Sequence, residues 1–105
     1  MRIMRLLVLF DLPTGNAAER KSYAKFRKFL IQDGYTMEQF SVYSRILFSR
    51  DSAEAHLARL KANVPLAGSV TVIQLTEKQY ASREILIDTR VHEEIDTGAQ
   101  LTLSF

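Results

Sequence analysis

An α+β domain with the element order βαββαβ is predicted from three observations. Residues 3–10 are almost continuously apolar, two later segments repeat apolar residues at spacings of three and four, and residues 68–75 alternate in the manner of a strand. At 105 residues the chain has the common size of one domain and can bury a single core. Its 47% hydrophobic and 25% charged residues, with few Gly and Pro, are the balance of a compact fold and exclude a disordered or fibrous chain.

The first strand is the run 3–10, interrupted only by Arg5 and closed by Asp11, which suits a central strand covered on both faces. Leu12, Pro13, Thr14, Gly15 and Asn16 then form a loop, with Asn16 as N-cap of a helix beginning near Ala17. In that helix Tyr23, Phe26 and Leu30 share one face, widened by Phe29. Lys21, Lys25 and Lys28 share the opposite face, with Arg20 and Arg27 on a flank. Asp33 and Gly34 end the helix, since glycine accepts the left-handed conformation without a Cβ clash. Residues 35–49 are rich in β-branched and aromatic side chains and are long enough for two short strands. Asp51, with an acid three positions on, marks the start of a second helix whose apolar stripe is Ala53, Leu57, Leu60 and Val64 and which Pro65 ends.

Two strand-helix-strand halves of this kind fold into a four-stranded antiparallel sheet with both helices on one face, the ferredoxin-like plan. The expected division is a core at 1–80 and a C-terminal extension at 81–105. The extension closes with alternating Leu101, Leu103 and Phe105, a strand-like segment that could add to a sheet edge in its own subunit or a partner's.

Composition removes several functions. There is no cysteine, which excludes disulfides, thiolate metal sites and thiol chemistry, and fits a reducing cytoplasm. The run at 6–10 is too short to span a bilayer and Asp11 stops it, so the expectation is a cytoplasmic protein with neither membrane contact nor export signal. Net charge is only +2, yet five of the 14 Lys and Arg fall between Arg20 and Lys28, while Glu93, Glu94 and Asp96 gather near the C-terminus.

Two candidate sites emerge. Asp11 ends a buried strand just before a flexible loop, which holds its carboxylate rigidly and within reach of a hard cation; alternatively it merely caps the strand. With no histidine or second acid nearby, one chain cannot supply a two-metal nuclease site. A two-fold axis near the end of this strand would pair two copies of Asp11 around one Mg²⁺ or Mn²⁺. The cationic helix face, Arg20, Lys21, Lys25, Arg27 and Lys28, is either a solvated surface or a sequence-independent nucleic-acid contact. Tyr43 and Arg45 would add to that contact if they lay on a sheet surface. His56 and His92 lack ligand spacing and are expected at the surface. Ser41 and Ser44 have no nearby histidine, which removes a serine hydrolase.

Five separated motifs, in order, resemble one family. They are Leu9-Phe10-Asp11-Leu12-Pro13, the basic helix Arg20 to Leu30, Gln39-Phe40-Ser41-Val42-Tyr43-Ser44, Arg59-Leu60-Lys61-Ala62-Asn63-Val64-Pro65 and Thr76-Glu77-Lys78-Gln79-Tyr80. Together they resemble the CRISPR-associated protein two family, in the version found in type II systems. The resemblance implies a ferredoxin-like homodimer, a metal-dependent nuclease acting on RNA or DNA with Asp11 as its key acid, and a bridge between dimers of the integrase, CRISPR-associated protein one, during spacer acquisition. A non-catalytic DNA scaffold is the competing reading, and a small-molecule regulatory domain a weaker third, having no use for five clustered cations.

Overall fold

The computed structural model describes residues 3–89. Its elements run β1 (Met4–Asp11), α1 (Ala17–Gln32), β2 (Thr36–Gln39), β3 (Val42–Leu47), α2 (Arg50–Asn63), β4 (Ser69–Thr76) and a short α3 (Glu77–Ala81). The four strands form one antiparallel sheet in the order β2-β3-β1-β4, which is the ferredoxin-like arrangement. The final residues of the expected extension, including His92, Glu93, Glu94, Asp96, Leu101, Leu103 and Phe105, lie outside the described residues.

Local chemistry explains the element ends. Asn16 Oδ1 accepts the Glu19 N–H at 2.8 Å, and Glu19 returns the support by accepting the Gly15 N–H at 2.9 Å. Asp33 caps the other end of α1, where Gly34 takes a φ of 89°. The second helix starts earlier than expected. Its N-cap is Ser49, whose side chain accepts the Ser52 N–H, and Asp51 sits inside the first turn, where an acid favours the helix dipole. Its stripe is also shorter, because Val64 is the C-cap and largely exposed while Ala53 and Leu60 are buried.

Strand alternation sorts β1 onto two faces. Leu6, Val8 and Phe10 point into a core with Phe26 and Leu30 of α1, Tyr43 and Leu47 of β3, and Ala53 and Leu60 of α2. Phe10 is held among aromatic rings, edge-on to Phe26 at 5.2 Å and stacked with Tyr43 at 5.8 Å. Arg5, Leu7, Leu9 and Asp11 take the other face. By strand register Val42 and Ile46 of β3 and Ile73 and Leu75 of β4 join them. The nearly continuous apolar run predicts a strand covered on both faces. The two long helices cover one, and Leu7 and Leu9 remain half-buried on the other.

Two expectations for single residues change. Tyr43 is buried in the core, so it offers no surface contact, and Arg45 is occupied in donating from Nη1 to the Asp33 carbonyl at 2.8 Å. His56 is buried, not exposed. Its Nδ1 lies 2.8 Å from Asp33 Oδ2, its ring meets Tyr35 edge to face, and Arg59 Nε donates to the other Asp33 oxygen at 2.9 Å. A polar ring can leave water here because a carboxylate satisfies it. Burial opposes ionisation of Asp33, but the hydrogen bonds from His56 and Arg59 outweigh it and hold the carboxyl below the usual aspartate value.

Candidate functional site

Asp11 is the last residue of β1 and sits opposite Ser69 of β4. The backbone before and beside it is fixed on both sides. The Phe10 N–H donates to the Ser41 carbonyl at 3.0 Å, which ties β1 to the β2–β3 turn. On the β4 side Gly68, at φ 96°, lies against Asp11 so closely that an added Cβ would fall 2.6 Å from the Asp11 carbonyl oxygen and 2.8 Å from Leu12 Cδ2. Glycine is required there on both counts.

The Asp11 side chain is by contrast exposed and makes no hydrogen bond or ion pair among the described residues. A rigid backbone carrying a free carboxylate is a suitable ligand for a hard cation, which takes oxygen donors and, in the case of Mg²⁺, keeps several of its waters. Among the described residues no group of three or more His, Cys, Asp or Glu side chains gathers as a metal cage.

On α1 the basic residues divide into two sets. Lys21, Lys25 and Lys28 are exposed on the side away from the core. Arg20 and Arg27 flank the helix and have local duties: Arg20 Nη1 donates to the Thr14 carbonyl at 3.3 Å, and Arg27 Nε donates to the buried Tyr43 hydroxyl at 2.9 Å. The five cations thus share a helix but not a direction, and Arg27 also satisfies a core hydroxyl.

A polar network at the other end of the open sheet face is absent from the sequence reading. Arg5 Nε and Nη2 donate to the two Glu77 oxygens at 3.0 and 2.8 Å, and Arg5 Nη1 reaches Ser44 Oγ. Ser44 and the Tyr80 hydroxyl both donate to Glu38, at 2.8 and 2.6 Å. The guanidinium carbons of Arg5 and Arg83 each lie 3.8 Å from the centroid of the Tyr80 ring. Glu38 occupies the register shift between β2 and β3. The one available sequence signal is Arg5, the single charge inside an apolar run.

A family model described as CRISPR associated protein Cas2 matches residues 4–83. The chain belongs to this family. It is 52% identical over 96 residues, 91% of this chain and 94% of the relative, to a protein of Acidovorax ebreus named CRISPR-associated endoribonuclease Cas2. Relatives with the same name from Streptococcus mutans and Flavobacterium psychrophilum are 51% identical over 74% of this chain and 40% identical over 97% of it, covering 72% and 89% of their own lengths. Family membership agrees with the fold and with the resemblance carried by the five motifs. Among the described residues no helix is long and apolar enough to cross a membrane.

Proposed function

We propose that this chain works in CRISPR adaptation as a homodimer that binds nucleic acid beside the integrase and cleaves phosphodiester bonds, in RNA or DNA, at a Mg²⁺ or Mn²⁺ site centred on Asp11. The observation that carries this reading is the free, exposed carboxylate of Asp11 on an immobilised backbone, in a family whose members are named endoribonucleases. A charged group left without a partner at the end of a strand contributes little to the fold and is available for ligation.

The dimer is supported by the open sheet face. Leu7, Leu9, Val42, Ile46, Ile73 and Leu75 share it, and a second copy laid on the same face would bury them. Since Asp11 ends a strand of that face, a two-fold axis close to it pairs two carboxylates, and two ligands replace the one that a single chain supplies. Bound there, the divalent ion would offset phosphodiester charge and make hydroxide available near neutral pH. The protein's own contribution is position: β1, the Ser41 contact and Gly68 fix where the carboxylates stand, and the lysines of α1 hold the phosphate backbone.

A DNA-bridging scaffold is the second reading, favoured by the outward set Lys21, Lys25 and Lys28, which needs no catalytic acid. Asp11→Asn separates the two. On the cleavage reading, purified nuclease activity disappears while the melting temperature stays within a few degrees of wild type. Mg²⁺ raises that temperature for the wild type alone, because a ligand of the folded dimer stabilises by mass action. Spacer acquisition that survives the substitution assigns the cellular role to bridging. Cleavage that survives it removes Asp11 from the site.

A further inference from the structure

Phe40 stands out among the apolar side chains. It is 80% exposed at the tip of the β2–β3 turn, where Ser41 has a positive φ of 64°. A large aromatic ring left mostly in water gains little for the fold, and a two-residue turn has many polar alternatives. Its ring lies against Tyr23 of α1, stacked at 6.2 Å with an interplanar angle of 23°. Tyr23 in turn rests on Phe10, at 6.0 Å. The outermost ring of this stack offers its free side to solvent.

The residues on either side of Tyr23 along the helix are cationic. Arg20, Tyr23 and Arg27 follow one another at spacings of three and four on α1, so they form a single row on its surface, and Tyr23 is the middle member. Arg20 and Arg27 are separated by about 10 Å along the helix, seven residues at the α-helical rise. Each uses one nitrogen locally, on Thr14 and Tyr43, which leaves further donors on each guanidinium. A mainly apolar depression of about 210 Å³, lined by Tyr23 with Leu12, Pro13 and Leu66 and bordered by Glu19 and Ser22, connects Tyr23 to the loop that follows Asp11.

An aromatic platform between two guanidinium groups is the arrangement that takes an unpaired base, the ring stacking on the base and the cations meeting the flanking phosphates. We propose that Phe40, backed by Tyr23 and flanked by Arg20 and Arg27, is a stacking subsite for one unpaired nucleobase of a single-stranded segment of the substrate, RNA or DNA. The subsite lies on the helix side of the sheet, so pairing of the open faces leaves it accessible. This inference rests on the nucleic-acid reading above and specifies which part of the substrate must be unpaired.

The chain contains no tryptophan, so Phe40→Trp installs a single reporter at the platform. Titrating this dimer with end-labelled oligo(U) or oligo(dT) reads binding by anisotropy and stacking by tryptophan emission. Saturable quenching at the anisotropy midpoint is expected, and the two oligonucleotides show which sugar is preferred. Phe40→Ala, at an exposed position, should weaken single-strand binding about 5- to 150-fold, the range of one base–aromatic stack, and leave a blunt duplex within about twofold. Oligonucleotide binding with unaltered emission overturns the subsite alone. So does an alanine variant that binds single strands as the wild type does, which would give the ring to a protein partner, or one that loses duplex binding equally. If neither oligonucleotide nor duplex binds the wild type, the nucleic-acid reading itself fails and the subsite with it.

Discussion

The two ends of β1 each carry a charge on the same sheet face and treat it in opposite ways. Arg5 is surrounded: Glu77 takes two of its nitrogens, Ser44 a third, and Tyr80 lies against its guanidinium. Its hydrogen bond to Glu77 raises its already high pKa, and the same bond lowers that of Glu77. Asp11, six residues on, has a tightly constrained backbone and a side chain with no partner among the described residues. At the first end charge fastens α3 to the sheet; at the second the backbone alone provides rigidity and the charge stays available. A saturated polar cluster and an acid left open to a ligand are therefore told apart by partners, not by residue type.

The largest effect that sharpens this contrast comes from the backbone beside Asp11. Gly68→Ala places a methyl group against the Asp11 carbonyl and Leu12 at a φ no alanine favours. We expect a loss of about 2–5 kcal/mol in urea unfolding, from left-handed strain together with overpacking. Asp11→Asn, a few ångströms away, should stay within about 0.5 kcal/mol of wild type, as an exposed surface substitution does. Equal losses in the two variants would mean that the side chain, too, is structural.

How much of this was legible in the sequence follows from how far apart the cooperating residues lie. The Asn16 cap, the Asp33-Gly34 stop and the two faces of α1 depend on residues within a few positions, and periodicity exposes them. The start of α2 shifted because Ser49 and Asp51 are both capping residues and only tertiary placement chooses between them. His56 was misplaced because its burial depends on Asp33, 23 positions earlier. The Tyr80 and Glu38 pairing spans 42 positions and crosses a strand irregularity, which no local pattern encodes. Asp11 could be singled out because a charge closing an apolar run is a local signal. The role of Gly68 could not, because it exists only through the pairing of β1 with β4.

A smaller effect probes the saturated end. Because Arg5 holds Glu77 below its ordinary carboxyl pKa, the pair's contribution is present above the unfolded value near 4.5 and is lost as pH falls through the lower folded value. Glu77→Gln should remove that part of the acid dependence below about pH 4.5 and cost up to about 1 kcal/mol at pH 7, since Glu77 is one-third exposed and water screens the pair. Unfolding followed by circular dichroism from pH 7 to 3 reads both. A variant as acid-sensitive as the wild type would put the titration on another carboxyl.

The smallest effect on folding, and a large one on binding, belongs to the outward face of α1. Lys21, Lys25 and Lys28 are exposed and point away from the core, so replacing all three by Glu adds charge without opening a cavity or orphaning a buried group. The melting temperature should move only slightly, whereas Arg27→Glu should lower it further because the Tyr43 hydroxyl loses its donor. Duplex affinity in the triple variant should fall for all sequences alike, because phosphate contacts carry no base information. The slope of log affinity against log salt should become shallower by about 0.9 for each phosphate contact removed. An unaltered slope would move the duplex surface off this helix. A slope that falls while single-strand stacking on the tryptophan of the Phe40→Trp dimer persists would show that phosphate grip and base contact occupy different sides of α1.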